Sequence, residues 1–384
     1  MTESVTESVT DPISATVAAN DFRREPEELV LAELAAVERV LRSGWWILGA
    51  EVEGFEQEWA RHCATPHAVG VANGLDAIEI GLRAMGVGPG DEVITTPVTA
   101  YATTLAIQRC GAIPVFADID PASGCLAADS VASCVSTSTR AVVPVHLYGR
   151  AADLDGLVAV CDAHGLALLE DCAQAHGALH RGRPVGSVGR CAAWSFYPTK
   201  NLGAIGDAGA LTTADAELAR TARCLRNYGQ SDRYHHDLPG LNSRLDELQA
   251  ALLRVRLPLL EAWTDRRRQI AERYRQAIAH PLLKPLAEVS DPAANVHHLY
   301  VLLTPDRDRV RSLLQEQGIP TLIHYPLPCT QQSALGTHRV APGGIPHALK
   351  HCGTCFSLPI HPFLLDDEVS RVIDACNQLP DPVG

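Results

Sequence analysis

The fold is decided at residues 168–177, which read Leu168-Leu169-Glu170-Asp171-Cys172-Ala173-Gln174-Ala175-His176-Gly177. Apolar residues open this stretch, and an acid, an amide and an imidazole follow, as expected of a buried strand that ends in polar side chains. Ligands of open α/β sheets collect at such strand ends. Asp171 alone is equally compatible with capping a following helix, so a functional interpretation needs a partner from another segment.

The next predicted strand brings a lysine to the same edge, in Trp194-Ser195-Phe196-Tyr197-Pro198-Thr199-Lys200. Lysine is rare here: Lys200, Lys284 and Lys350 are the three lysines among 32 basic residues, so 29 are arginine. A position that keeps lysine in such a composition suits an amine that must lose its proton and attack a carbonyl, which a guanidinium cannot do.

These residue types match the needs of pyridoxal phosphate (PLP): a lysine amine, a carboxylate for the pyridine nitrogen and several donors for the phosphate. Lys200, Asp171 and Ser195 fit those three roles. The turn at Ala72-Asn73-Gly74-Leu75 opens a predicted helix. The backbone N–H groups of Gly74 and Leu75 are therefore expected to add phosphate contacts at the positive end of that helix.

Working outward, short apolar runs alternate with helical patterns from about residue 65 to 215, which predicts parallel strands joined by crossover helices. The helices are predicted at about 75–85 and around 154–161. The predicted strands lie near residues 67–71, 92–96, 113–117, 141–145, 167–170, 192–196 and 210–213.

The remainder of the chain predicts a second, smaller unit. A charged helical stretch covers about residues 244–279, with Pro258 expected to interrupt it. A proline-containing connector at 281–295 precedes elements at 298–303, 308–317 and 366–376. We therefore expect a flexible N-terminal segment (1–28), a large cofactor-binding α/β domain that includes the long helix (29–280), and a small C-terminal α+β domain (281–384).

Composition narrows the class of function. A formal charge of −13 disfavours nucleic acid as a partner, and no run of eighteen apolar residues offers a membrane span. The start of the chain is acidic and lacks an apolar stretch, unlike a secretory signal, so we expect a cytoplasmic protein. The twelve cysteines are expected to be buried thiols, and Cys352-x-x-Cys355 lacks the second pair of a zinc site, so no metal is expected.

With these residues in place, the chain resembles the sugar aminotransferases of the DegT/DnrJ/EryC1/StrS family, within the aspartate aminotransferase-like, fold-type I PLP enzymes. The resemblance covers about residues 30–378. Its strongest motifs are residues 170–177, Ser195-Phe196-Tyr197-Pro198-Thr199-Lys200-Asn201-Leu202-Gly203 and Gly240-Leu241-Asn242-Ser243-Arg244-Leu245-Asp246.

The resemblance implies a role for each residue of the site. Lys200 would form the Schiff base and move the proton, and Asp171 would pair with the pyridine nitrogen. Gln174 would lie beside the cofactor ring, and Ser195 would bind the phosphate. Asn242 is similar to the family's asparagine that reaches the phosphate of the neighbouring subunit, which implies a homodimer with shared active sites.

Two further stretches resemble the subgroup that acts on nucleotide-linked 3-keto sugars: residues 226–230 with Tyr234-His235-His236, and residues 322–326 with His324 and Tyr325. The resemblance implies that they face the sugar or its nucleotide. The alternative without a role in substrate binding is that His235 lies in a surface loop and Tyr325 lies in the core. The implied reaction transfers an amino group from L-glutamate, through the pyridoxamine phosphate (PMP) form, to a dTDP-linked keto-deoxyhexose at C3 in deoxyaminosugar biosynthesis.

Other readings stay open at this point. Amination at C4, or of a cyclitol or another cyclic ketone, fits the same motifs. A PLP-dependent sugar dehydratase would have histidine in place of Lys200, and a binding protein without activity would have no use for the intact set. One position departs from the family pattern: Ala100 stands where many members place an aromatic residue over the cofactor ring, so either Tyr101 shifts to supply it or the ring is covered differently.

Overall fold

The computed structural model describes residues 16–380. Eight strands form one large sheet in the order β1-β9-β8-β5-β4-β2-β3-β14, and three form a small sheet in the order β12-β13-β15. The strands are β1 (His67–Val71), β2 (Glu92–Thr95), β3 (Ile113–Phe116), β4 (Thr139–Val143), β5 (Ala167–Asp171), β6 (Leu179–His180), β7 (Arg183–Pro184), β8 (Cys191–Ser195), β9 (Gly209–Thr213), β10 (Gln230–Asp232), β11 (His235–His236), β12 (Lys284–Pro285), β13 (Tyr300–Leu303), β14 (Arg339–Val340) and β15 (Cys355–Leu358).

Helices cover both faces of the large sheet and build the rest of the C-terminal unit. They are α1 (Glu27–Ser43), α2 (Ala50–His62), α3 (Gly74–Ala84), α4 (Tyr101–Arg109), α5 (Ala128–Cys134), α6 (Leu154–His164), α7 (Ala216–Arg226), α8 (Glu247–Arg256), α9 (Leu260–Ala277), α10 (Arg307–Glu316), α11 (Pro346–Thr354) and α12 (Asp366–Asn377). In the range 16–380, no helix is both long and apolar enough to cross a membrane.

The large sheet is mostly parallel, as predicted, with one exception. Strands β8, β5, β4, β2 and β3 pair in parallel. The parallel prediction is wrong for β9, which runs antiparallel to both β8 and β1. The reason is local: residues 196–208, which join β8 to β9, contain no crossover helix, so the chain simply turns back. Because β1 and β8 both oppose β9, the carboxyl ends of β1, β5 and β8 share one edge.

Side chains of β8 show how the sheet is buried on two sides. Cys191 and Ala193 pack in a cluster with residues of α3, α4 and α7. Ala192 and Trp194 face the opposite way, into a cluster that includes Phe55 of α2. A strand covered on both faces needs apolar residues at every position, which is why the sequence reads as a continuous apolar run.

The C-terminal unit is an antiparallel sheet packed with helices. Pro258 lies in a 3₁₀ turn at 257–259 that separates α8 from α9, which confirms the predicted interruption. Ile270 and Tyr274 of α9 are buried in the same cluster as Phe356 of β15. Helix α9 therefore supplies part of the core of the C-terminal unit, and the boundary at residue 280 stays a prediction.

The first 28 residues were predicted to be flexible, and residues 1–15 lie outside the described part of the chain. The described remainder is packed rather than free. Val17 is fully buried, and its N–H donates to the Gly318 carbonyl at 2.9 Å. Arg24 forms an ion pair with Glu368 of α12 at 2.6 Å. The expectation of flexibility is thus wrong for residues 17–24, because an apolar side chain and an ion pair fix them to the C-terminal unit.

Candidate active site

Three strand ends and one loop meet at a single cavity of about 430 Å³. Asp171 is the last residue of β5, Ser195 is the last residue of β8, and Gly74 begins α3 just after β1. Lys200 reaches the same cavity from the loop that follows β8. The sequence prediction that these groups meet at one edge of the sheet is therefore correct in its geometry.

Small residues allow the N-terminus of α3 to lie against β8 and β9. A Cβ on Gly74 would come within 2.7 Å of the Ser195 Cβ, and one on Gly209 within 2.4 Å of the Asn73 backbone. The Asn73 side chain caps α3 by accepting from the Asp76 N–H at 2.9 Å. Gly74 and Leu75, whose N–H groups were predicted to hold a phosphate, line the cavity next to Ser195.

Lys200 has the electrostatics of a reactive amine. Its amine lies in the interior, and the loss of water around the ammonium lowers its pKa from 10.5 to about 8, partly offset by the negative charge of Asp171. A substantial fraction of the amine is therefore neutral near physiological pH. A neutral amine is the form that attacks a carbonyl and accepts a proton.

Asp171 is a buried carboxylate with fixed partners. Its Oδ2 accepts from the Thr103 hydroxyl at 2.8 Å, and its Oδ1 accepts from the Ala173 N–H at 3.1 Å. Burial raises the pKa of Asp171, and these hydrogen bonds and the charge of Lys200 oppose that rise. The Asp171 side chain does not cap a helix, so the structural role suggested as an alternative for this acid is excluded.

Gln174 connects the large domain to the C-terminal unit. Its Oε1 accepts from the Tyr148 N–H at 2.7 Å, and its Nε2 donates to the Tyr325 hydroxyl at 3.1 Å. The Tyr148 hydroxyl donates in turn to the His324 carbonyl, while the His324 ring contacts the Ser357 hydroxyl at 3.0 Å. His324 and Tyr325 are thus brought to the residues around Lys200.

Imidazoles near Lys200 are kept neutral. Burial and the charge of Lys200 lower the pKa of His324 to about 4 and of His176 to about 3. The same causes hold the pKa of His298 well below its usual range. These rings therefore add no positive charge beside Lys200 at neutral pH. The charged group that acts on Lys200 is Asp171, which raises the pKa of its amine.

The other predicted substrate and cofactor residues lie elsewhere on this chain. Tyr234 is 79% exposed and His235 is exposed, both at the hairpin of β10 and β11. Asn242 is also exposed, and its backbone bridges to Asn227. The structure of one chain does not bring these three side chains into the cavity, so their roles stay predictions.

Ala100 and Tyr101 are placed differently with respect to the cavity. Ala100 lines the cavity, whereas Tyr101 does not. The Tyr101 hydroxyl donates instead to Gln108 at 3.2 Å, along α4. Tyr101 therefore does not supply an aromatic ring to the cavity, and the other alternative, a cofactor ring covered differently, stays a prediction.

Three residues around the site were not singled out from the sequence: Thr103, Tyr148 and His298. Each acts through a partner distant in sequence, such as Asn201, which contacts the His298 ring at 3.2 Å. No pattern within a single segment marks these three residues.

The twelve cysteines are free, and all but the half-buried Cys224 are buried, as predicted.

A cavity that joins a lysine of lowered pKa, a buried carboxylate and the N-terminus of a helix fits PLP: Lys200 for the aldehyde, Asp171 for the ring nitrogen, and Ser195 with α3 for the phosphate. The fold and the site thus define a PLP-dependent enzyme. Residues 28–377 match the model of the DegT/DnrJ/EryC1/StrS aminotransferase family. The chain belongs to this family and is an aminotransferase.

Individual relatives agree over nearly the whole length. The chain is 45% identical over 358 residues to the dTDP-3-amino-3,4,6-trideoxy-alpha-D-glucose transaminase of Streptomyces venezuelae, covering 93% of this chain and 94% of the relative. It is 40% identical over 339 residues to a UDP-N-acetyl-3-dehydro-alpha-D-glucosamine 3-aminotransferase of Acidithiobacillus ferrooxidans, covering 88% and 91%. The crystal structure of S. venezuelae DesV, in complex with a ketimine intermediate, superimposes with a TM-score of 0.91 at 44% identity, covering 94% of this chain and 98% of that one.

Proposed function

We propose that this enzyme transfers the amino group of L-glutamate to C3 of a keto-deoxyhexose carried by dTDP. The observation that carries the proposal is the position of Lys200, whose pKa is lowered to about 8, in one cavity with Asp171 and the N-terminus of α3. The S. venezuelae relative, named for a dTDP-linked 3-amino sugar, supports the choice of nucleotide and carbon.

The residues divide the chemistry between them. PLP, when bound, supplies an electrophilic carbon and an electron sink. Lys200, as a neutral base, removes the proton from the α-carbon of the amino donor, and it moves a proton again when the sugar carbon receives the amine. Asp171 holds the ring nitrogen protonated by its negative charge, and Ser195 with the N–H groups of Gly74 and Leu75 anchors the phosphate.

The sugar is proposed to lie against Tyr325 and His324. Both groups are uncharged at neutral pH: burial raises the pKa of Tyr325 above its usual range and lowers that of His324 to about 4. Neutral donors and acceptors suit the hydroxyl groups of a sugar, whereas a charged side chain would suit a carboxylate or phosphate. Tyr234 and His235 are proposed to contact the nucleotide-sugar from a second subunit.

A homodimer with shared active sites is part of the proposal. Asn242 is exposed although its proposed target is a phosphate, and large apolar residues lie uncovered on the same chain, including Tyr197 (52% exposed), Trp45 (63%) and Ile205 (59%). Tyr197 itself lines the cavity. A second copy that covers these residues would bring Asn242, Tyr234 and His235 to the partner's site.

Twelve unpaired cysteines suit a reducing compartment, so we place the reaction in the cytoplasm.

The proposal is tested with the PMP form of the purified enzyme and a panel of ketones. The panel contains dTDP-linked 3-keto and 4-keto deoxyhexoses, a UDP-linked 3-keto sugar and a cyclitol ketone, and the products are identified by mass and NMR. We expect the 3-amino dTDP sugar to form at the highest kcat/KM. Preferential turnover of the 4-keto sugar or of the cyclitol ketone would overturn the assigned substrate in favour of that alternative.

A further inference from the structure

A pair of threonine hydroxyls lies beside the carboxylate of Asp171. The Thr103 hydroxyl, in the first turns of α4, donates to Asp171 Oδ2 at 2.8 Å, and Thr99 Oγ1 lies 3.1 Å from Thr103 Oγ1. Asp171, Thr103 and Thr99 are all at least nine-tenths buried, at 4%, 1% and 4% exposure. All three residues lie at the wall of the cavity, largely removed from bulk solvent.

The geometry fixes the direction of these hydrogen bonds once Asp171 is ionised. An ionised carboxylate only accepts, so the Thr103 O–H must donate to Oδ2. The oxygen of Thr103 is then free to accept from the Thr99 O–H. The other carboxylate oxygen accepts from the Ala173 N–H at 3.1 Å, so each oxygen of Asp171 has one protein donor.

We propose that Thr103, supported by Thr99, is a positioning relay that keeps Asp171 ionised and fixed in the orientation that binds the cofactor's ring nitrogen. The proposal rests on the assigned role of Asp171 in PLP binding. Thr103 acts only through Asp171 and is not itself a catalytic residue.

The physical reason is the cost of an unpaired buried charge. Removing the Thr103 hydroxyl would leave Oδ2 without its protein donor, on a side chain that is only 4% exposed. The carboxylate would then gain by taking up a proton, and a neutral acid holds a protonated ring nitrogen far less strongly than an anion does. The loss should appear as weaker cofactor binding, independently of turnover.

The chain supplies a matched set of variants. Thr103→Val keeps the shape of the side chain and removes the hydroxyl, Thr103→Ser keeps the hydroxyl, and Thr99→Val removes only the outer member. Thr104→Val is the control, since Thr104 is equally buried on α4 and makes no hydrogen bond to Asp171. Asp171→Asn tests the assignment on which the relay rests.

The measurements are the dissociation constant of PLP and the pH titration of the absorbance of the Lys200-bound cofactor, with circular dichroism to compare folding. From the strength of hydrogen bonds to charged groups, we expect Thr103→Val to weaken PLP binding about 10- to 100-fold and to shift the titration. Thr99→Val should cause a smaller loss, and Thr103→Ser and Thr104→Val should stay within about 2-fold of wild type.

The possible failures can be told apart. Wild-type PLP affinity and titration in Thr103→Val, together with a large loss in Asp171→Asn, would overturn the relay alone. Wild-type affinity in Asp171→Asn would overturn the assignment of Asp171 itself. An equal loss in Thr103→Val and Thr104→Val would also overturn the relay, because the effect would then come from packing of α4 and not from the hydroxyl at Asp171.

Discussion

Two regions of the molecule carry residues of the same proposed site but differ in burial. One is the wall around Lys200, which contains Asp171, Thr103, Gln174 and Tyr325, and the other is the hairpin of β10 and β11. The wall is buried and tied together within one chain: Thr103 and Ala173 hold Asp171, and Gln174 joins Tyr148 to Tyr325. In the hairpin, Tyr234 is 79% exposed, and none of the residues 230–236 lines the cavity. Groups that must be electrostatically tuned are preorganised, whereas groups that only meet the substrate can be delivered by a second subunit.

The largest expected effect lies at the centre of the wall. Lys200→Ala should eliminate covalent attachment of PLP and lower kcat by about 10²- to 10⁴-fold or more, because the proton-moving base is lost. Lys350→Ala, at an exposed lysine of α11, is the control and should leave both properties unchanged. Absorbance spectra and steady-state kinetics measure them. Retained covalent cofactor in Lys200→Ala would place the attachment on another residue.

A pH experiment on the same residue should give the next largest effect. Burial lowers the pKa of Lys200 to about 8 from 10.5, so the neutral amine accumulates as the pH rises through about 8. At pH 7 the rate of attachment of PLP to the apoenzyme should exceed that of an ordinary lysine amine by about two orders of magnitude. Stopped-flow absorbance from pH 6 to 10 would measure it. A rate that keeps rising without a plateau until pH 10 or above would contradict the lowered pKa.

A smaller effect is expected where the wall meets the C-terminal unit. Tyr325→Phe removes the acceptor of the Gln174 amide and a proposed sugar contact, so kcat/KM for the sugar should fall about 5- to 100-fold. The half-reaction with L-glutamate should change less. Equal losses in the two half-reactions would assign Tyr325 to the cofactor instead of the sugar.

The hairpin should show the smallest effect of a single side chain. His235→Ala should raise KM for the nucleotide-sugar by about 2- to 10-fold and leave PLP affinity unchanged, because this residue is proposed to contact only the substrate. His338→Ala, at another exposed histidine, serves as the control. A fall in PLP affinity without a change in KM would show that the hairpin belongs to the cofactor site.

The same contrast explains what could be predicted from the sequence. The strands and the group of Asp171, Ser195 and Lys200 follow from local patterns, because strand ends and a rare lysine are visible within single segments. Thr103 could not be found in this way, since its partner Asp171 lies 68 residues further along the chain. The reversed direction of β9 was missed because the loop at 196–208 is long enough for a crossover yet contains no helix.

The C-terminal unit shows a second limit. The predicted boundary at residue 280 places helix α9 in the large domain, and in the structure Tyr274 of α9 packs with residues of the C-terminal sheet and donates to the Pro359 carbonyl at 2.8 Å. The amphipathic pattern indicates that a helix has a buried face and does not say which partner covers it. In a similar way, the sequence predicts Asn242, Tyr234 and His235 as site residues but does not show which subunit's site they serve.

A dimer that carries Lys200→Ala on one chain and Asn242→Ala on the other provides the most direct test. If the wall and the segment with Asn242 serve different sites, each homodimeric variant is impaired at both sites, whereas the mixed dimer has one intact site and one doubly altered site. We expect the mixed dimer, isolated with two affinity tags, to recover about half of the wild-type kcat per dimer. Activity no higher than the average of the two homodimeric variants would contradict it.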